Sequence, residues 1–252
     1  MKGKYILLIF LITDFLLLIS CDKKNMSSEL PEWNKNNAVT ILFLSKLNNE
    51  TLFSGTEYSA VASAVRKTAN SVTVLHRADV VYNGNKIQNP TISIASEIRR
   101  TGLFSRIRYS GEKVEGTGIL IGQTITEMGN TTLSDESACF SVPITANGSV
   151  PMTFSFVSFE NESQLNAGLA AVKEKLTDET VWVGVINKAL QEKLKSEFSG
   201  GDYRLEIVES NETRETQLVF VLTTLNWLVR EHTKTSVGSD SVICLNFKIE
   251  AL

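Results

Sequence analysis

The chain has 252 residues, is 42% hydrophobic and 21% charged, and carries a net charge of −3. That is enough apolar material for one large core or two small ones, and it excludes a largely disordered chain. Lysine and arginine are scattered along the chain, without the basic face of a general nucleic-acid binder, so no nucleic-acid partner is expected.

The amino terminus reads as a targeting segment rather than part of the fold. Lys2 and Lys4 supply a positive start, and residues 5–19 form an apolar run interrupted by Asp14. The run is short for a transmembrane helix, which needs about 20 apolar residues. It ends in Leu18, Ile19, Ser20 and Cys21, which resembles the lipobox of bacterial lipoproteins. The resemblance implies a signal peptide over residues 1–20, lipidation and acylation at Cys21 (a palmitate-type membrane anchor), and a place in the bacterial cell envelope, periplasmic or surface-facing. The membrane lipid would then be a partner through Cys21. Asp22 implies inner-membrane retention in enteric bacteria and leaves the leaflet open elsewhere. Residues 21–37 are polar and aperiodic, a tether.

The folded part is expected over residues 38–252 as one domain. Residues 38–44 (AVTILFL) read as a buried strand. A polar loop follows, with Asn48, Leu52, Phe53 and the turn at residues 55–58. Residues 57–69 read as a helix with Ala60, Val61 and Val65 inward, and residues 71–75 as a strand ending in Leu75, His76 and Arg77. His76 and His232 are the two histidines, far apart in sequence, and His76 reads as structural. A short helix is expected over residues 94–101, then a basic segment with Arg99, Arg100, Arg106 and Arg108, read as a solvated face. Gly116 and Gly118 open a further strand. They form no phosphate loop, because no Gly-Lys-Ser/Thr follows.

Residues 152–187 read strand, helix, strand. Leu165, Leu169, Val172 and Leu176 recur at helical spacing, with Ser163 as the expected N-cap. Residues 181–186 are nearly all apolar, as in a strand covered on both faces, and Asn187 stands at its end. A helix over residues 188–198, two strands and a closing apolar strand follow, the last preceded by Ser239, Asp240 and Ser241. Cys139 and Cys244 lie in strand-like contexts. They either pair as a disulfide, which an exported protein permits, or stand as two buried thiols. No Cys or His cluster has metal-ligand spacing, so no zinc is expected.

The order of these landmarks resembles the endonuclease/exonuclease/phosphatase superfamily of metal-dependent nucleases and phosphodiesterases. The resemblance implies an α/β (α+β) fold, a two-layer β-sandwich flanked by helices. It also implies functional positions. Asn48, Asn187 and Asp240 match the family pattern. Arg77 stands where the family has a magnesium-binding Glu, Ser158 and Ser241 where it has His, and Val185 where it has Asp. Serine is no general base near neutral pH and valine holds no cation, so no catalytic residues, no metal and no cofactor are expected. The chain then reads as a membrane-anchored pseudoenzyme acting as a binding or structural module, its protein or ligand partner unnamed by the sequence. One alternative is a metal-dependent phosphodiesterase or nuclease, with Mg2+ held by acids such as Asp79, Glu127 or Asp135. Another is an unrelated envelope or adhesion lipoprotein of α/β type.

Overall fold

Side chains alternate across each strand, and the alternation sorts the apolar residues into three groups that define the layers. In the computed structural model, which describes residues 38–53, 57–68, 70–122, 129–134, 137–145, 151–209, 213–238 and 242–252, fourteen strands form two sheets. The first sheet contains β1 (Ala38–Ser45), β2 (Val72–Leu75), β3 (Val80–Asn83), β4 (Lys86–Gln88), β5 (Thr101–Ser110), β6 (Lys113–Ile121), β13 (Trp227–Val237) and β14 (Val242–Ala251). Its order is β13-β14-β1-β2-β6-β3-β4, with β5 paired to β6. The second sheet contains β7 (Gly129–Ser134), β8 (Ser137–Thr145), β9 (Pro151–Phe159), β10 (Thr180–Asn187), β11 (Tyr203–Val208) and β12 (Gln217–Thr224), in the order β11-β12-β10-β9-β8-β7.

Residues 39, 41 and 43 of β1, 243, 245, 247 and 249 of β14 and 181, 183 and 185 of β10 point between the sheets and form the central core. Their neighbours point outward. Leu42, Leu44, Val242 and Cys244 meet the helices α1 (Glu57–Lys67) and α2 (Pro90–Ile98). Trp182, Ile186 and Phe220 meet α3 (Glu162–Lys175) and α4 (Gln191–Glu197). The result is the two-layer sandwich with helices on both outer faces that the resemblance implied. The stripe of Leu165, Leu169, Val172 and Leu176 is buried against the second sheet as its spacing required.

Local chemistry moved several helix ends. The cap of α3 is Asn161, not Ser163. Its side chain accepts from the Gln164 amide at 3.0 Å, while Gln164 accepts from the Glu160 amide at 2.7 Å. The helix expected over residues 94–101 runs Pro90–Ile98 instead. Asn89 caps it, Pro90 supplies a pre-set first turn, and Arg99 closes it in the left-handed region at φ 55°. Thr101 thereby begins β5. The segment after β10 starts as a 3-10 turn (Lys188–Leu190) before α4. Cys244 is a free buried thiol on the helix-covered face of the first sheet, whereas Cys139 belongs to β8 of the second sheet. The two are not paired, because the first sheet stands between that thiol and the other sheet.

A close packing contact lies at Gly184, directly across from Phe220. A Cβ there would sit 2.2 Å from the Phe220 ring, which is itself stacked on Phe159 at 6.3 Å and an interplanar angle of 4°. Gly184→Ala is expected to lower the urea unfolding free energy by about 1–3 kcal/mol through overpacking. An unchanged unfolding midpoint would contradict that packing.

Candidate functional site

The carboxyl ends of β1, β2, β9 and β10 meet the amino ends of β12 and β14 at one end of the sandwich. Ser45 pairs with Ile243, Leu44 with Leu75, Ile186 with Phe159 and Asn187 with Gln217. The loop after β1 ties the two sheets together there, because the Leu47 carbonyl accepts from the amides of both Thr216 and Gln217, at 2.9 and 3.0 Å. In layered α/β folds such strand ends are where chemistry is usually placed.

Arg77 turns the chain out of β2 in the left-handed region, at φ 58°. A non-glycine residue adopts that conformation only when its surroundings over-determine it. Here they do. Its carbonyl accepts from the Leu52 amide at 2.8 Å and the Thr51 hydroxyl at 3.2 Å. Its guanidinium, in a residue only 4% exposed, donates to the Asn49 carbonyl at 2.7 Å and ion-pairs with Asp79 and Glu115 at 3.3 Å each. Asp79 also accepts from the Gly116 amide at 3.2 Å. Glu115 is shared further with Arg108 at 2.7 Å and Lys113 at 3.1 Å. Burial pushes the Glu115 carboxyl up, but Lys113, Arg77 and Arg108 outweigh it and hold the group below the ordinary carboxylate range. The guanidinium thus occupies its carboxylates fully, as a fixed charge in a polar cage.

His76 precedes it on the inner face, fully buried between the Phe43 and Phe156 rings, at centroid distances of 6.0 and 6.1 Å. Its Nδ1 lies 2.9 Å from the Ser45 hydroxyl, whose oxygen also accepts from the Leu47 amide at 3.0 Å. Its Nε2 has no hydrogen-bond partner. Burial, reinforced by the nearby Arg77 charge, pushes its pKa down to about 3, so the ring is neutral at physiological pH. That agrees with the structural role expected for this histidine.

Of the residues singled out in the sequence, several share this end without forming a reactive group. Asn187 closes β10, its Oδ1 accepting from the Ala189 amide at 3.0 Å and its Nδ2 donating to the Glu160 carbonyl at 3.4 Å. Both bonds go to backbone, one within its own turn and one at the end of β9. Ser158 is 4% exposed and its hydroxyl is unpartnered; it pairs with Val185, which is wholly within the central core. Asn48 is half-buried and accepts from the Glu50 amide at 3.2 Å. Its neighbour Asn49 bridges instead. The Asn49 carbonyl takes the Arg77 guanidinium, and its side-chain oxygen takes the Gln217 amide group. Arg77, Asn49, Gln217 and Asn187 therefore form a connected path along the end of the sandwich. Gln217, Glu115 and Asn49 were missed from sequence, since nothing in their local spacing marks them. Cys21, Glu127, Asp135, Asp240, Ser241 and the turn at residues 54–56 lie outside the described residues. Among the described residues no group of three or more His, Cys, Asp or Glu side chains has the geometry of a metal site.

No protein-family model matches the chain, and no curated protein matches it. Solved structures do match. An endonuclease/exonuclease/phosphatase from Beutenbergia cavernae superposes with a TM-score of 0.62 at 9% identity, over 86% of this chain and 72% of the other. An endonuclease/exonuclease/phosphatase family protein from Leptotrichia buccalis gives 0.59 at 10% identity, over 84% and 99%. Truncated TDP2 from Caenorhabditis elegans gives 0.55 at 10% identity, over 87% and 100%. At such identities the likeness is one of fold.

The two perturbed groups of this site set the pH dependence of stability. A histidine whose folded pKa lies below its unfolded value of 6.5 contributes fully above pH 6.5, and the contribution is lost as pH falls from 6.5 toward 3. The depressed Glu115 acts in the same sense, its share present above the unfolded carboxylate value and lost as pH falls through the lower folded one. The unfolding free energy should fall by up to about 1.4 kcal/mol per pH unit between pH 6 and 4. His76→Leu should flatten that limb. Equal slopes for parent and variant in urea titrations at pH 7, 5.5 and 4.5 would contradict the assignment.

Proposed function

Because the fold is that of the endonuclease/exonuclease/phosphatase superfamily, we propose that the chain is a non-catalytic member of it, a binding or structural module held at a bacterial membrane by lipid on Cys21. The observation that carries the reading is Arg77. It ends β2 where the resembled family has a metal-binding Glu, and its guanidinium is caged by Asp79, Glu115 and the Asn49 carbonyl. A cation entering this cage would meet a permanent like charge with no proton to release.

The other replaced positions support the same reading. Val185 is an interior residue of the core, and Ser158 offers a hydroxyl where proton transfer would need an imidazole. Asn187 keeps the family's residue type and spends it on backbone groups of its own loop and of the loop after β9. The lipid anchor rests on the amino-terminal sequence pattern alone.

The test uses the full chain, titrated with Mg2+ or Mn2+ in a calorimeter and incubated in parallel with bis(p-nitrophenyl) phosphate. No saturable heat and no metal-dependent release of p-nitrophenol are expected. Stoichiometric binding with turnover would overturn the reading and send the search to Asp79, Glu127 and Asp135 as ligands.

A further inference from the structure

A cavity of about 420 Å³ opens beside the Arg77 cage, between the β3–β4 hairpin and the two helices of the first sheet. That volume lies at the small end of the range of about 300–1,000 Å³ typical of ligand pockets. Its apolar wall is made by Phe53, Tyr58, Val81, Ile87 and Pro90, and Lys113 lines the opposite chemistry. The Phe53 and Tyr58 rings touch, at a centroid distance of 5.9 Å and an angle of 49°. Val81 is 39% exposed and Ile87 66%. Of the exposed large apolar side chains among the described residues, Val81 and Ile87 line this cavity. Exposed apolar groups gathered around one concavity mark a binding surface more than scattered ones do.

The electrostatics select the ligand's charge. Asp79 lines the cavity too, but its side chain is 1% exposed and its oxygens already serve Arg77, the Gly116 amide and Lys113. It has nothing to give a cationic ligand. Lys113 is different. Its side chain is 36% exposed, and its ammonium lies 3.1 Å from Glu115 and 3.6 Å from Asp79, each carboxylate also held by Arg77. An ammonium has three donors, so one remains for a ligand. Three of the cavity's other polar groups are turned to the protein. The Tyr58 hydroxyl donates to Glu97 at 2.9 Å, the Thr51 hydroxyl to the Arg77 carbonyl at 3.2 Å, and the Ser93 hydroxyl to the Asn89 carbonyl at 3.1 Å.

We propose that this cavity binds a small monocarboxylate with one aromatic or branched apolar body, the body against Phe53, Tyr58 and Ile87 and the carboxylate on Lys113. The proposal deepens the reading of the domain as a binding module and rests on it. A single spare donor suits one carboxylate, and a charge-assisted hydrogen bond out of full solvent is the term that separates an acid from its neutral isostere.

The probe is 3-phenylpropionate, compared with 3-phenylpropan-1-ol and 3-phenylpropylamine, titrated into full-chain protein carrying labelled Ile and Val methyls. The acid should shift the Val81 and Ile87 methyl resonances saturably, and the alcohol and amine should do so at least about tenfold more weakly, the worth of one charge-assisted hydrogen bond. Lys113→Met should lose a similar factor and Lys113→Arg should retain binding. Ile87→Asp, at an exposed position that folding does not depend on, should abolish it. Equal shifts from all three probes, shifts spread over the molecule, or unchanged affinity in Lys113→Met would overturn the proposal. Absence of acid binding with no metal-dependent hydrolysis removes the cavity claim and leaves the non-catalytic reading standing. Metal-dependent turnover removes that reading whatever the cavity binds.

Discussion

A guanidinium cannot leave water unless its donors and its charge are met, and the end of this sandwich is arranged around meeting those of Arg77. The partners come from three places: Asn49 from the loop after β1, Asp79 from the turn into β3, and Glu115 from β6. Holding them together also fixes the loop after β1, which in turn bonds through Leu47 and Asn49 to the start of β12 in the other sheet. Buried ion pairs of this kind add little stability over a well-packed apolar alternative, because desolvation consumes most of the attraction. Their worth lies in being hard to break in part. Removing one member strands the others in a dry site, at a cost of about 3–5 kcal/mol. The left-handed backbone at Arg77 is held in place by the same contacts.

The cage also decides what this end of the molecule can do. The family that the sequence resembles implies carboxylates and imidazoles at these strand ends. Here the inner face offers a neutral His76 between two phenylalanine rings, an unpartnered Ser158 hydroxyl, the Val185 methyls and an Asn187 whose side chain caps its own loop. Among the described residues no cluster of His, Cys, Asp and Glu side chains has the geometry of a metal site. What accessible chemistry the corner retains has shifted sideways, to the apolar cavity and Lys113 next to the cage.

How much of this was legible in the sequence follows from the range of each interaction. The strands and α3 declared themselves through local period: alternate residues in β1 and β10, and the Leu165–Leu169–Val172–Leu176 stripe. Helix ends were less legible, since several polar residues near each end compete to cap it. Asn161 won over Ser163, and Asn89 with Pro90 began α2 ahead of the expected Ile94. A cation at Arg77, where the resemblance implies an acid, was readable at a single position. The response to it was not. Glu115 and Gln217 lie 38 and 140 residues further along the chain, and only the pairing of β2 with β6 and of β10 with β12 brings them in. Asn49, next to Asn48, went unread for a similar reason, because two adjacent asparagines in a loop differ only in which way the backbone turns them. Cys139 and Cys244 were undecidable by spacing, and sheet membership separates them.

The central claim is that a protein guanidinium stands in for the metal at the end of the sandwich. The most direct test is anomalous diffraction from crystals of the protein soaked in Mn2+. The account predicts no anomalous peak within coordination distance of Asp79, Glu115 or Asn187, and Arg77 still seated on its two carboxylates. A manganese peak bound by Asp79 or Glu115, with the Arg77 side chain displaced, would contradict it.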